Sequence, residues 1–144
     1  MQHVQNRSTT SALVLTAVLI ALATLFTMYT KIPVPGIRGY FNVGDVVIMT
    51  SALLLGRKYG AYIGAIGPAL ADLFLGYAVF VPITLVVKGI EGYLVGTVYN
   101  NKTTTSALVA TIIGGIIIVA GYFIAEYFVF DPGVAIASIV TNTI

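Results

Sequence analysis

The stretch Val81-Pro82-Ile83-Thr84-Leu85-Val86-Val87-Lys88-Gly89-Ile90-Glu91-Gly92-Tyr93-Leu94-Val95-Gly96-Thr97-Val98 decides how the chain is to be read. It is apolar for long enough to cross a bilayer as a helix, a task for roughly 17–25 residues. Within it stand only two charges, Lys88 and Glu91. A charge at the centre of a spanning helix costs about 2.5–3.5 kcal/mol on insertion scales. Such residues face a bundle interior or a wet cavity and by default mark a functional site. Three residues apart on a helix, the two share a face and can pair. Two readings follow: a ligand or transport site, or an ion pair that only holds helices together.

The rest of the chain agrees with a membrane setting. Of 144 residues, 58% are hydrophobic and 8% charged, against about 25% charged in a soluble domain. Mean hydropathy is +1.01. The net charge of +2 comes with no basic cluster, which argues against nucleic acid as a partner. There is no Cys, so disulfides, thiolate metal sites and Cys nucleophiles are excluded. The one His, His3, sits in the polar N-terminal tail. No phosphate loop, H-E-x-x-H or G-x-S-x-G is present. No cofactor and no catalytic residue is expected, and the chain does not read as an enzyme. Ala21-Leu22-Ala23 imitates a signal-peptidase site, but the apolar run continues through Met28. That length fits a first spanning helix.

The expected class is an all-α membrane protein: one transmembrane domain over 1–144, a compact bundle of six helices. The segments are about 10–29, 43–56, 59–77, 81–99, 106–130 and 134–144, the last only half a span. Between the first two, 31–42 holds two prolines and two glycines, which break any helix. Arg57-Lys58-Tyr59-Gly60 reads as a tight basic turn, and Asp131-Pro132-Gly133 as another. With the N-terminus inside, Arg7, Arg57, Lys58 and Lys102 fall on the cytoplasmic side, and Lys31 and Arg38 outside. The Lys/Arg bias favours that orientation.

In that frame Asp72 lies about 20 Å from the inner end of its helix, and Lys88 about 10 Å below the outer end of the next, at 1.5 Å per residue. Tyr122 and Glu126 fall near the outer end of the fifth segment. Ionisable residues from three helices thus gather at mid-depth or above, which points to a polar cavity open to the outside. Above it lies the loop with Arg38, Tyr40 and Phe41, read as a lid over a small planar ligand or as interfacial anchors. Asp45, at the start of segment two, complements the helix dipole and is expected to be structural. The candidate ligand set is Arg38, Tyr40, Asp72, Lys88, Glu91, Tyr122 and Glu126. It suits a hydroxylated heteroaromatic or a carboxylate.

Small residues recur four apart. Gly60/Gly64, Gly67/Ala71 and Gly92/Gly96 are expected to pack helices of the same chain. Ala17/Ala21 fits either such packing or docking to another membrane subunit.

Gly44-Asp45, Leu53-Leu54-Leu55-Gly56-Arg57-Lys58-Tyr59-Gly60, Pro68-Ala69-Leu70-Ala71-Asp72-Leu73 and Val87-Lys88-Gly89-Ile90-Glu91-Gly92 together resemble the substrate-binding S components of energy-coupling factor (ECF) vitamin transporters. The resemblance spans about Thr10 to Asp131. Within the family it is nearest the branch with riboflavin-type components and those assigned to hydroxymethylpyrimidine or pyridoxine. It implies six transmembrane helices and a vitamin held near the outer face beneath the first loop. It also implies a complex with a membrane T subunit and two cytoplasmic ABC ATPases, in a bacterial cell membrane. Small residues of the first helix meet the T subunit in this family, and Ala17 and Ala21 match that pattern. A sixth helix normally supplies ligand contacts, and here only 134–144 represents it.

A chain this small without a nucleotide motif cannot power transport itself, so the resemblance implies capture, with energy from partners. The best expectation for the ligand is a vitamin or precursor of hydroxymethylpyrimidine or pyridoxine type, with riboflavin or pantothenate as alternatives. The competing function is a stand-alone ion- or proton-coupled transporter using Glu91 or Glu126. An intramembrane enzyme would lack both Cys and a membrane His, and a purely structural subunit would pair its buried charges only with each other.

Overall fold

The structure, a computed structural model, describes residues 9–33, 40–99, 103–129, 133 and 136. Among these, five helices follow one another: α1 (Thr9–Tyr29), α2 (Val43–Leu55), α3 (Arg57–Phe74), α4 (Val81–Val98) and α5 (Thr104–Val129). Thr10–Tyr29, Val81–Val98 and Thr104–Val129 are long and apolar enough to cross a membrane. The class is an all-α membrane protein. The sixth expected segment, 134–144, lies outside the described residues except for Ile136.

The loop after α1 departs from expectation. Lys31–Pro33 (β1) and Tyr40–Asn42 (β2) pair antiparallel, Lys31 opposite Asn42 and Pro33 opposite Tyr40. Aromatic residues favour strand geometry, and a proline is tolerated in a two-stranded ribbon because every strand is an edge. Asn42 then caps α2: its side-chain oxygen accepts from Gly44 N–H at 2.9 Å, satisfying one of the orphan donors of the first turn.

The second departure is the α2–α3 junction. Arg57-Lys58-Tyr59-Gly60 is no turn but the first turn of α3, with Gly60 N–H donating to the Gly56 carbonyl at 3.0 Å. The reversal is absorbed by Gly56 alone, at φ +89°, a conformation open to glycine. At the other end α3 stops at Phe74 rather than 77, where Tyr77 N–H turns back to the Asp72 carbonyl at 2.8 Å and Gly76 adopts φ +84°. The start of α5 is fixed by a reciprocal cap: Ser106 N–H donates to Thr103 Oγ1 at 3.1 Å, and Thr103 N–H to Ser106 Oγ at 3.2 Å.

Helix α3 lies at the centre, packed on α1, α2 and α4, and α5 packs on α4. The α3–α4 contact is made by backbone on backbone. A Cβ at Gly60 would lie 2.6 Å from the Gly92 carbonyl oxygen, a Cβ at Gly92 would run into the Gly60 carbonyl, and one at Gly64 into the Lys88 carbonyl. Gly67 faces α1, where a Cβ would meet that of Ala23 at 2.7 Å. These small pairs pack helices of the same chain, as small residues do in lipid. Next to that contact, Thr24 Oγ1 donates to the Gly67 carbonyl at 2.9 Å. The outward surface is apolar, with Val18, Leu25, Leu54, Ile112 and Ile116 exposed, as a lipid-facing surface requires.

Gly92→Leu is therefore expected to abolish the folded bundle, since the obstacle is backbone and cannot rotate away. Overpacking typically costs about 1–3 kcal/mol, more where nothing can yield. Gly115→Ala, where a Cβ meets nothing within 4 Å, should leave stability unchanged or raised. Size-exclusion profiles and thermal stability of the detergent-purified proteins compare the two. Equal behaviour would contradict the close α3–α4 approach.

Candidate functional site

Four helices bring their polar residues to one end of the bundle. Asp45 stands in the first turn of α2, Asp72 two residues before the end of α3, and Lys88 in the first half of α4. Tyr122 and Glu126 stand near the end of α5. Because successive helices run in opposite directions, the start of α2, end of α3, start of α4 and end of α5 meet.

Lys88 is the hub. Its ammonium donates to Asp45 Oδ1 at 2.5 Å and lies 3.2 Å from Glu91 Oε2. It also sits over the Tyr122 ring, 5.9 Å from the centroid, within cation–π range. Lys88 is 3% exposed and Glu91 fully buried. Burying charges carries a desolvation cost that only partners and hydrogen bonds offset. Lys88 has such partners. Glu91 has only the ammonium: neither of its buried oxygens makes a hydrogen bond among the described residues.

A second chain of contacts adjoins the first through Tyr122. Thr84 Oγ1 donates to Asp72 Oδ2 at 2.5 Å and lies 2.9 Å from the Tyr122 hydroxyl. The sequence-derived residues Asp72, Lys88, Glu91 and Tyr122 are thus joined in one network across α3, α4 and α5. Glu126 is buried on α5, four residues after Tyr122 and so on the same face. Tyr40 is described by its backbone in β2 only, and Arg38 lies outside the described residues.

Two members of the network were not in the candidate set. Asp45 does more than complement a helix dipole: it crosses to α4 to pair with Lys88. Thr84 is buried and bridges α3 to α5. A signal for Thr84 existed, a hydroxyl four residues before Lys88 on the same helix face. On α1, Ala17 and Ala21 are exposed, whereas Thr16, Ala23, Thr24 and Thr27 are buried. The Ala17/Ala21 stripe is therefore not the face by which α1 packs on α3.

Chemically, the network offers carboxylates, one ammonium, a phenol and a hydroxyl in an apolar bundle. That combination can hold and orient a small polar molecule. The described residues hold no group of three or more His, Cys, Asp or Glu arranged for a metal ion.

Similarity to known proteins agrees with this. An uncharacterized protein in a gap 3'region of Pyrococcus woesei is 43% identical over 117 residues, covering 79% of this chain and 77% of that protein. The thiamine precursor transporter HmpT of Lactococcus lactis subsp. cremoris (strain MG1363) is 31% identical over 130 residues, covering 90% of this chain and 72% of that protein. The family profile described as ECF-type riboflavin transporter, S component, matches residues 7–144. The family description and the Lactococcus relative's name are those of transport, not catalysis. A multi-pass apolar bundle with a buried polar network, matched by that profile over nearly its whole length, belongs to the ECF-type riboflavin transporter S component family.

Proposed function

We propose that this chain is the substrate-binding subunit of an ECF-type ABC importer. It captures a water-soluble vitamin or precursor of hydroxymethylpyrimidine or pyridoxine type from outside the cell. It then delivers the ligand with a membrane T subunit driven by two cytoplasmic ABC ATPases. The observation that carries the reading is the network centred on Lys88, with Asp45, Asp72, Thr84, Glu91 and Tyr122 drawn from four helices. A purely structural pair would need one carboxylate per cation. Here Lys88 meets two, and Glu91 keeps oxygens that accept no hydrogen bond among the described residues. The name of the Lactococcus relative, a thiamine precursor transporter, supports a pyrimidine over riboflavin or pantothenate.

The chain lies in the cell membrane with its N-terminus cytoplasmic. This places Arg57 and Lys58 at the inner surface, in keeping with the positive-inside bias, and the network in the outer half. Ligand capture from outside then needs no passage through the narrow α3–α4 contact. Ala17 and Ala21 form the face for the T subunit.

A second reading, a stand-alone proton-coupled carrier using Glu91, draws on that same buried carboxylate. Uptake of labelled hydroxymethylpyrimidine separates the two. The importer reading expects accumulation only when the T and ATPase subunits are co-expressed, and its loss when ATP hydrolysis is blocked. Full uptake by the chain alone, driven by a proton gradient, would overturn it.

A further inference from the structure

We infer that the end of the bundle opposite the polar network carries a binding site for one anionic phospholipid, its phosphate held by Arg57 and Lys58 and an acyl chain laid along the α3–α4 seam. The site is separate from the capture reading above and rests only on the membrane setting. Arg57 and Lys58 open α3 side by side. Both are exposed, and neither has an ion pair among the described residues. The chain's five carboxylates do not reach them. Asp45, Asp72 and Glu126 stand at the other end of the bundle, Glu91 is buried beside Lys88, and Asp131 follows the far end of α5 in sequence. The counter-charge for this pair is not supplied by these residues, and a lipid phosphate at the membrane surface supplies it.

Arg57 is already held in place. Its guanidinium carbon lies 5.8 Å from the centroid of the Tyr93 ring on α4, within cation–π range. Gly96 permits the approach, since a Cβ there would lie 2.5 Å from the Arg57 backbone nitrogen. A guanidinium laid on a ring keeps its edge free, and that edge is the N–H fork that grips a phosphate in two parallel bonds. Beyond the cations the surface turns apolar. Lys58 and Tyr62, four residues apart, share one face of α3. Val86, Ile90 and Tyr93 share one face of α4, and all five are exposed. Between these two walls the floor is made of small residues: a Cβ on Gly89 would lie 3.2 Å from that of Ala65. From Tyr93 to Val86 the seam runs about 10 Å at 1.5 Å per residue, within the roughly 15 Å that the chains of one leaflet fill. Tyrosine sits by preference at headgroup level, and basic pockets between spanning helices take lipid headgroups. An acidic protein surface would match the charges but has no use for the apolar seam that continues from them.

Native mass spectrometry of the detergent-purified full chain, given equal amounts of phosphatidylglycerol and phosphatidylcholine with the same acyl chains, tests the site. The wild-type chain is expected to retain the anionic lipid over the zwitterionic one by at least about fivefold. Arg57→Gln with Lys58→Gln changes two exposed side chains and should bring that ratio to within about twofold of unity. Tyr93→Leu keeps both charges and an apolar wall but removes the platform under Arg57, and should lower the ratio by at least about half. A diffuse attraction between basic residues and anionic lipid would not register that change. Glycerol phosphate, which carries the charge without the chains, should not displace the bound lipid when added in excess. Equal retention of the two lipids by the wild-type chain, or a ratio that the double variant leaves untouched, overturns the proposal. So does a ratio unmoved by Tyr93→Leu, or displacement by glycerol phosphate, because the site would then lack its ring or its seam. If the wild-type chain shows no lipid preference while the double variant loses co-purification with the T and ATPase subunits, the cations meet an acidic partner protein and the lipid site falls.

Discussion

Lys88→Met is expected to weaken vitamin binding by more than about tenfold, since truncating one partner of a buried, hydrogen-bonded charge pair typically costs 2–5 kcal/mol or more. The same change should lower thermal stability, because Asp45 and Glu91 would be left as carboxylates without their cation. Breaking a buried pair from one side typically costs about 3–5 kcal/mol. The two effects separate in a neutral triple variant, Asp45→Asn, Lys88→Met, Glu91→Gln. With no uncompensated charge its stability should recover in large part, while its affinity should stay low. Thermal unfolding and calorimetry on the three proteins decide the matter. A triple variant that is stable and binds as the wild type would show that the network only joins helices.

The second large effect concerns coupling to partners. Ala17 and Ala21 are exposed on α1, while the buried stripe of that helix carries Thr16, Ala23, Thr24 and Thr27. A bulky residue at the first pair does not enter the α1–α3 contact, where Ala23 faces Gly67. Helix association in lipid depends on close approach at small residues. Ala17→Trp with Ala21→Trp should therefore abolish uptake and co-purification with the T subunit, yet leave ligand affinity within about twofold of the wild type, a shift of about 0.4 kcal/mol at most. Unchanged uptake would mean that the stripe faces only lipid and that docking lies elsewhere.

How much of this could be read from the chain depends on the range of the interaction. The apolar runs of α1, α4 and α5 are long enough to declare themselves, and Lys88 with Glu91 is a local i,i+3 relation. The Gly60 and Gly92 contact is only half legible: the spacing within each helix is visible, but not that the two face each other. Asp45 escaped because its partner is 43 residues away, and its place in a first helical turn offered a sufficient local explanation. Thr84 escaped because a threonine in an apolar helix ordinarily donates to the carbonyl four residues before it in its own helix, as Thr16 and Thr97 do here. The hairpin Lys31–Pro33 with Tyr40–Asn42 was hidden by the prolines and glycines nearby, which signal a break without saying what replaces the helix. Arg57 and Lys58 read as turn residues because they are charged. In the structure a single glycine makes the reversal, and their charges belong to the exposed first turn of α3.

The central claim, that the network centred on Lys88 belongs to a vitamin-capture site, is tested most directly by what the purified chain carries. Native mass spectrometry of the wild-type protein should show a bound small molecule, released on denaturation as a heteroaromatic vitamin or precursor, and the same preparation of Lys88→Met should lack it. A wild-type chain that carries nothing and takes up none of hydroxymethylpyrimidine, pyridoxine, riboflavin or pantothenate on addition, or a Lys88→Met chain that retains the ligand in full, would contradict it.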